Sequence, residues 1–405
     1  METRTPATCD TARSPGTWDG RATRALIDLD CIASNVFTLL RAVSPARLMA
    51  VVKGDAYGHG AGAVAQVALE SGATSLGVFT VSEGCALRAA GIHAPILVFG
   101  PIYPAEVDAL FTNRLTPTIS SMAMAELVLG CAHGRSLPFH VEVDTGMTRG
   151  GVSVESVIPL VRRLDGRDEL ELEGVYTHFA GADYPDEPSA GQQLAVFREV
   201  VENIRSQRIA IPVVHAANSS AALHFPEARF AMVRAGIALY GYHPHVAGDV
   251  CPPLKPALSL LSGVSRVSHV AAGTGVGYGD TFRCERDSTV ALIPVGYADG
   301  LHRTLGNGRG EVLIGGKRVP IVGRVSMDQI TVDVTDIGDV QVGDEVVLIG
   351  SQAGIDQTAD DVAAQAGTIS YEVLTSLLPR VPRLYSRWGV VTDSHSAELR
   401  GSTPA

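Results

Sequence analysis

Residues 48–60 read LMAVVKGDAYGHG. An apolar run ends at Lys53, and Gly54, Gly58 and Gly60 follow closely. A short apolar run bounded by glycines reads as a buried strand ending in a turn. Past the turn, Gly60–Glu70 carries amphipathic spacing, which predicts a helix. The unit is therefore strand, turn, helix. Seven more runs repeat it: SLGVFT, PILVFG, LTPTIS, FHVEVD, LEGVYTHF, VVHAANS and MVRAGIALYG, the last ending at Gly241. The segments between them include a second amphipathic stretch at Ala190–Arg205. Val/Ile/Leu-rich strands alternating with helices indicate a parallel sheet. Eight such units fit a (β/α)8 TIM-type barrel, with an open doubly wound sheet as the alternative.

The texture changes after CPPLKPALSL at residues 251–260. TVALIPVGYADG, EVLIGGKRVPIVGRVSMDQITVDV and DEVVLIGS are closely spaced and separated by glycine turns. That pattern predicts a mostly antiparallel β domain. One helix interrupts it, starting near Thr358 and resuming at Ser370. The predicted organisation is a disordered tail over 1–24, a barrel over 25–255, a β domain over 256–395 and a tail over 396–405. The strand at 22–30 precedes the barrel units and is expected to pair with the β domain.

Composition narrows the function classes. A formal charge of −11 opposes a phosphate-backbone partner, since Lys and Arg would have to supply the affinity. Aromatic content of 5% argues against stacking platforms for single-stranded nucleic acid. The cysteines at 9, 31, 85, 131, 251 and 284 form no C-x-x-C pair, so neither a disulfide framework nor a zinc ribbon is expected. No apolar run approaches the roughly 20 residues of a membrane span, and the N-terminus lacks a signal-peptide core. A reducing cytoplasm is the expected location.

In a barrel, a lysine ending a strand faces the active-site mouth. Desolvated there, it has a lowered pKa and can form an imine with an aldehyde. Taken alone, Lys53 reads first as a strand-end lysine reaching water, with glycines that merely turn the chain. The whole segment VVKGDAYGHG resembles the cofactor-lysine signature of the alanine racemase family, and further matches follow in chain order from Ala22 to about Trp388. The resemblance implies a barrel followed by a β domain, pyridoxal 5'-phosphate as cofactor, a homodimer with shared active sites, and interconversion of L- and D-alanine.

The resemblance also assigns residues. Lys53 is the cofactor lysine, and Tyr278 in GTGVGYGDTF is the second base, supplied across the dimer. Two bases on opposite faces let a proton leave one side and return to the other. Tyr57, Ser219, Gly236 and Ile237 match phosphate ligands, the last two through backbone N–H groups, which suit an anion. Asn218 precedes Ser219 in a supporting place. Arg234 matches the arginine facing the pyridine nitrogen. A guanidinium donates there but does not readily protonate, which keeps the carbanion short-lived and disfavours transamination. His178 matches the histidine that tunes the tyrosine base and lies near Arg234. Arg149 matches a ligand of the cofactor's phenolic oxygen and the substrate, and Met327 a backbone ligand of the substrate carboxylate, with Asp328 beside it. Tyr371 matches a tyrosine bounding the pocket. Tyr297, Arg303, Arg324, Asp183 and Ile369 match the access corridor.

Three departures stand out. Gly54 follows the lysine where alanine is usual. Ser326 stands where many members carry cysteine. Glu142 stands where many carry a carbamylated lysine, and is expected to brace Arg149 as a direct anion. Two other readings share parts of this pattern. Pyridoxal-phosphate amino-acid decarboxylases place a carboxylate opposite the pyridine nitrogen, which Arg234 opposes. Non-catalytic pyridoxal-phosphate-binding proteins end with the barrel, whereas this chain continues and carries Tyr278. Among racemases, a serine or broad-specificity enzyme is the competitor, because one hydroxyl discriminates weakly.

Overall fold

The computed structural model describes residues 20–184, 188–244 and 252–393. The tails expected at 1–24 and 396–405 therefore lie outside the described residues, apart from residues 20–24. The chain divides into two compact units. One is Asp28–Ala257; the other joins the residues up to Ile27 with those from Leu258 onward.

In the first unit eight strands run parallel: β2 (Arg47–Val51), β3 (Ser75–Val78), β4 (Ile96–Val98), β5 (Thr116–Ile119), β6 (Leu137–Asp144), β8 (Leu170–Tyr176), β9 (Val213–His215) and β10 (Met232–Ala235). A two-residue strand, β7 (Val152–Ser153), is added at the end of β6. The order β10-β2-β3-β4-β5-β6-β8-β9 brings the last two strands together. Ala231 N donates to Val214 O at 3.1 Å and Arg234 N to Ala217 O at 2.9 Å across that seam. The eight predicted runs are thus the eight strands of a TIM-like barrel. Met49, Leu97, Tyr176, Val213 and Met232 form one apolar cluster in the core.

Helices cover the barrel, and their ends follow from local chemistry. The helix Leu29–Val43 starts where the Asp28 carboxylate accepts the N–H groups of Asp30 and Cys31. Its buried Asn35 donates to Leu239 O and Lys255 O and accepts from Lys255 N. One amide thereby pins the chain leaving β10 to the outer helix, which fixes the loop that carries Gly236 and Ile237.

The second unit is a ladder of mostly antiparallel strands. β1 (Arg24–Asp28) pairs antiparallel with β11 (Leu258–Gly263), which pairs with the long β19 (Glu345–Gln352). β12 (Arg266–Val270), β15 (Ser288–Ile293), β18 (Ile330–Asp333), β17 (Lys317–Val322) and β16 (Glu311–Ile314) continue the sheet in that order to β19. A small hairpin of β13 (Gly275–Val276) and β14 (Phe282–Arg283) projects the turn 277–281. The helices Ala359–Ala366 and Ser370–Thr375 interrupt the strands, the first with a Thr358–Asp361 capping box.

Candidate active site

Lys53 leaves the C-terminal end of β2 into an unusual turn. Gly54, Asp55, Ala56 and Tyr57 all have φ between 52° and 62°, one turn of left-handed helix. Left-handed geometry costs about 1–2 kcal/mol per residue that carries a Cβ. The turn is held from several directions. Gly54 N donates to Glu83 Oε1 at 2.7 Å, Gly58 N to Gly54 O at 3.0 Å, and Ala61 N to Asp55 Oδ1 at 2.8 Å. The other Glu83 oxygen accepts from Phe79 N and Thr80 N, tying the turn to the chain after β3. Such over-determined strain concentrates at functional sites. Burial, then the Arg149 guanidinium and, more weakly, that of Arg234, lowers the Lys53 pKa from the usual lysine value against a pull from Glu83. Its amine is therefore more readily unprotonated than a surface lysine's.

Arg234 on β10 is the hub of the barrel mouth and is 3% exposed. Its Nη2 donates to Thr177 O at 2.9 Å and Ala216 O at 3.0 Å, and lies 3.2 Å from His178 Nδ1. Its Nη1 lies 2.9 Å from His215 Nδ1, and its guanidinium sits over the Tyr176 ring. Burial pushes its pKa down to about 10, so it keeps its charge at neutral pH. His178 and His215 are held well below the usual histidine value, first by burial and then by Arg234. Both rings are neutral.

Tyr57, Ser219 and Gly236 converge beside this hub. Gly236 N donates to Ser219 Oγ at 2.8 Å, and Ala238 N reaches the same oxygen at 3.4 Å. A Cβ on Gly236 would lie 2.6 Å from the Tyr57 hydroxyl, so only glycine lets that backbone approach. Burial pushes Tyr57 up to about 12, which keeps its phenol a donor. Ile237 is buried at the start of the following 3-10 turn. Asn218 caps the short helix Ser219–His224 by accepting from Ala221 N.

Arg149 sits on an exposed loop after β6. Asp144 Oδ1 shapes that loop by accepting from Gly146, Met147 and Thr148 N. Glu142, inside the barrel, interacts with the Tyr176 hydroxyl and packs against Gly150. Burial raises its pKa, against the pull of Arg234 and Arg149. Among the described residues no ion pair within 4 Å joins Glu142 to Arg149; the carboxylate interacts instead with the Tyr176 hydroxyl. The expected direct brace is thus a longer-range attraction in this structure. Asp183 is half-buried on the loop after β8.

The β unit presents its own cluster. Tyr278 stands 72% exposed between Gly277 and Gly279, both at positive φ. The Arg324 guanidinium lies beside Gly279. Met327 and Tyr297 are exposed and linked through backbone: Tyr297 N donates to Ser326 O and Ala298 N to Met327 O. Beneath them the buried Asp299 accepts from Arg21 and Arg380, and Arg380 also bonds Asp328. Tyr371 is half-buried on the helix Ser370–Thr375, with Ile369 exposed at its start and Arg303 exposed nearby in sequence to Tyr297.

Sequence models of the alanine racemase N-terminal and C-terminal domains match residues 27–244 and 257–385. A curated alanine racemase from Halothermothrix orenii is 41% identical over 90% of this chain and 97% of its own length. The chain belongs to the alanine racemase family. A relative from Symbiobacterium thermophilum is 43% identical over 90% of this chain and 97% of its own. Among solved structures, alanine racemase from Bacillus anthracis with bound L-Ala-P superposes with a TM-score of 0.87 at 39% identity, covering 93% of this chain and 98% of that one. The Bartonella henselae enzyme, solved with covalently bound pyridoxal phosphate, gives 0.82 at 32% identity, covering 91% and 100%.

Several residues of this alanine racemase family site escaped the sequence reading. Thr177 and Ala216 act through carbonyls, which sequence does not mark. Glu83 lies a whole unit away from the turn it holds. His140 and His215 carried a legible signal: each is a polar residue in a run read as buried strand.

Proposed function

We propose that the protein interconverts L- and D-alanine with pyridoxal 5'-phosphate as cofactor. The observation that carries the reading is the convergence of Lys53, Arg234 and the Tyr57–Ser219–Gly236 cluster at one barrel mouth. The donors fit a phosphate: the Gly236 N–H and the Ser219 hydroxyl, 2.8 Å apart, meet the Tyr57 phenol where a Cβ would already collide. Arg234 fits a ring nitrogen, since its Nε and one Nη1 N–H have no protein acceptor among the described residues. When bound, the cofactor supplies the electron sink that lets the amino acid's Cα–H ionise.

The protein's own groups then divide the work. Lys53 holds the cofactor and moves the Cα proton on the D-alanine face. Tyr278, contributed across a homodimer, moves it on the L-alanine face. Arg234 donates a hydrogen bond and retains its proton, so it orients the ring nitrogen without acting as an acid. His178 bonds Arg234 as a neutral ring and links it to the tyrosine base. Arg149 and the Met327 backbone hold the substrate carboxylate, with Arg149 also at the phenolic oxygen. Tyr371 bounds the pocket beside the small side chain, and Glu142 supplies negative charge behind Arg149. The same reading is of a cytoplasmic enzyme whose D-alanine is available to uses such as peptidoglycan precursors, a secondary pathway or catabolism.

Chiral chromatography of L-alanine and L-serine, each incubated with purified protein and pyridoxal phosphate, tests it. Conversion of alanine to an equal mixture, much faster than serine, is expected. Faster serine conversion reassigns the substrate, and no D-product from either refutes the reading.

A further inference from the structure

Below Arg234 the barrel interior holds a chain of polar side chains with no part in the reading above. Arg234 Nη1 lies 2.9 Å from His215 Nδ1, His215 Nε2 lies 2.9 Å from His140 Nδ1, and His140 Nε2 lies 3.2 Å from Glu173 Oε2. His215 and His140 are buried, and Tyr176 stacks on His215. The chain runs from the mouth to the opposite end. Glu173 and His140 line a cavity there with Arg47, Ser75, Thr116 and Met232, four residues at strand starts.

Donor chemistry fixes every proton along the chain. A guanidinium only donates, so His215 Nδ1 accepts and its proton is on Nε2. That proton goes to His140 Nδ1, which leaves the His140 proton on Nε2, donated to the Glu173 carboxylate. All three bonds point one way, from cation to anion, through two neutral rings. Bonds polarised in one direction strengthen one another.

The backbone is built around this chain. Phe139 pairs with Leu172 and His140 with Gly174, so Glu173 is the extra residue of a β-bulge. Bulges re-aim side chains. Gly174 makes the room, since a Cβ there would meet the His140 ring at 2.5 Å.

We propose that Glu173 and His140, at the closed end of the barrel, are positioning residues for Arg234. They hold His215 in the one tautomer that accepts from the guanidinium, and so fix which Arg234 N–H groups remain for the ring nitrogen. The inference rests on the reading of Arg234 as the group facing that nitrogen.

Holoenzyme carrying Glu173→Leu or Glu173→Gln tests it, with steady-state kinetics and side-chain 15N NMR of the histidines. Glu173 is half-exposed and tolerates substitution without a buried hole. E173L is expected to lower kcat about tenfold with KM nearly unchanged, the scale of a lost outer hydrogen-bond partner. E173Q keeps an acceptor for His140 Nε2–H and is expected to recover most of that loss. Wild type should show both His140 and His215 protonated on Nε2, with E173L redistributing them. Equal kcat and unchanged tautomers in E173L overturn the proposal, as does E173Q failing as badly as E173L. If the wild type itself lacks racemase activity, the functional reading falls, while the tautomers still decide whether the chain is polarised as described.

Discussion

Gly236→Ala puts a methyl carbon 2.6 Å from the Tyr57 hydroxyl and 3.3 Å from its Cζ. A carbon rests against an oxygen at about 3.3–3.6 Å, so the overlap is roughly 0.7 Å or more. Tyr57 has little room to retreat. It is 8% exposed, its ring sits 4.8 Å from that of Tyr240, and the Tyr240 hydroxyl is tied to Val51 O. Overpacking of this kind costs about 1–3 kcal/mol, a factor of roughly 5–150 in an equilibrium. The strain appears either as lost stability, about 2–12 °C in Tm for a unit of this size, or as Tyr57 pushed out of the phosphate cluster. Thermal unfolding without cofactor reads the first, and an absorbance titration with pyridoxal phosphate reads the second. The double variant G236A with Tyr57→Phe removes the nearest clashing atom. It should regain the unfolding temperature but not the affinity, because a phosphate donor has gone with the hydroxyl. Wild-type stability together with wild-type affinity in G236A would refute the close packing and the phosphate assignment drawn from it.

Other consequences are as specific. Tyr278→Phe should keep cofactor binding and lose most turnover, about a hundredfold or more, the scale of a missing general base; near-normal kcat removes Tyr278 from the mechanism. Lys53→Ala should abolish covalent cofactor attachment, read by borohydride reduction and peptide mapping, and a reduced adduct on any other lysine contradicts the assignment. Glu142→Gln removes the anion near Arg234 and Arg149 and should weaken cofactor affinity severalfold; unchanged affinity and turnover would confine Glu142 to packing. Stability should depend on pH through His178 and His215. Both fold as neutral rings with lowered pKa, so the unfolded chain binds more protons below about 6.5, and stability falls as pH drops from there by up to about 1.4 kcal/mol per pH unit per ring. Urea melts between pH 7.5 and 5.5 check this, and a flat profile would mean that the rings are already charged or solvated when folded.

The barrel was legible because its strands are short apolar runs alternating with helix-like segments. FHVEVD and LEGVYTHF became β6 and β8, and the closely spaced runs after residue 258 became the antiparallel sheet. Those signals are local: each depends on period, branching and a turn residue within a few positions. The left-handed turn after Lys53 was not legible. Ala56 and Tyr57 have no local preference for φ near 52°, and what holds the turn is the Glu83 carboxylate from the following strand–helix repeat and a hydrogen-bond set closed by the fold. The glycines around them marked a turn without giving its hand.

The barrel interior shows why the site was only half readable. A strand pattern tells which residues point inward, and His140 and Glu142 alternate properly on β6 for that. It does not tell that Glu173, one residue out of phase, is brought back by a bulge, or that Gly174 is empty to admit an imidazole. Both features are relations between two strands, and neither strand alone contains them. The charge balance is of the same kind. Arg234 is fully buried, and a buried cation needs a partner; its nearest acceptors are neutral carbonyls and rings, with carboxylates at Glu142 and, through two histidines, Glu173. Arg234 and Glu142 were singled out separately in the sequence, and Glu173 was not. Only the closed sheet brings them together: burial lowers the Arg234 pKa to about 10, and Tyr176 and Glu142 act against that fall.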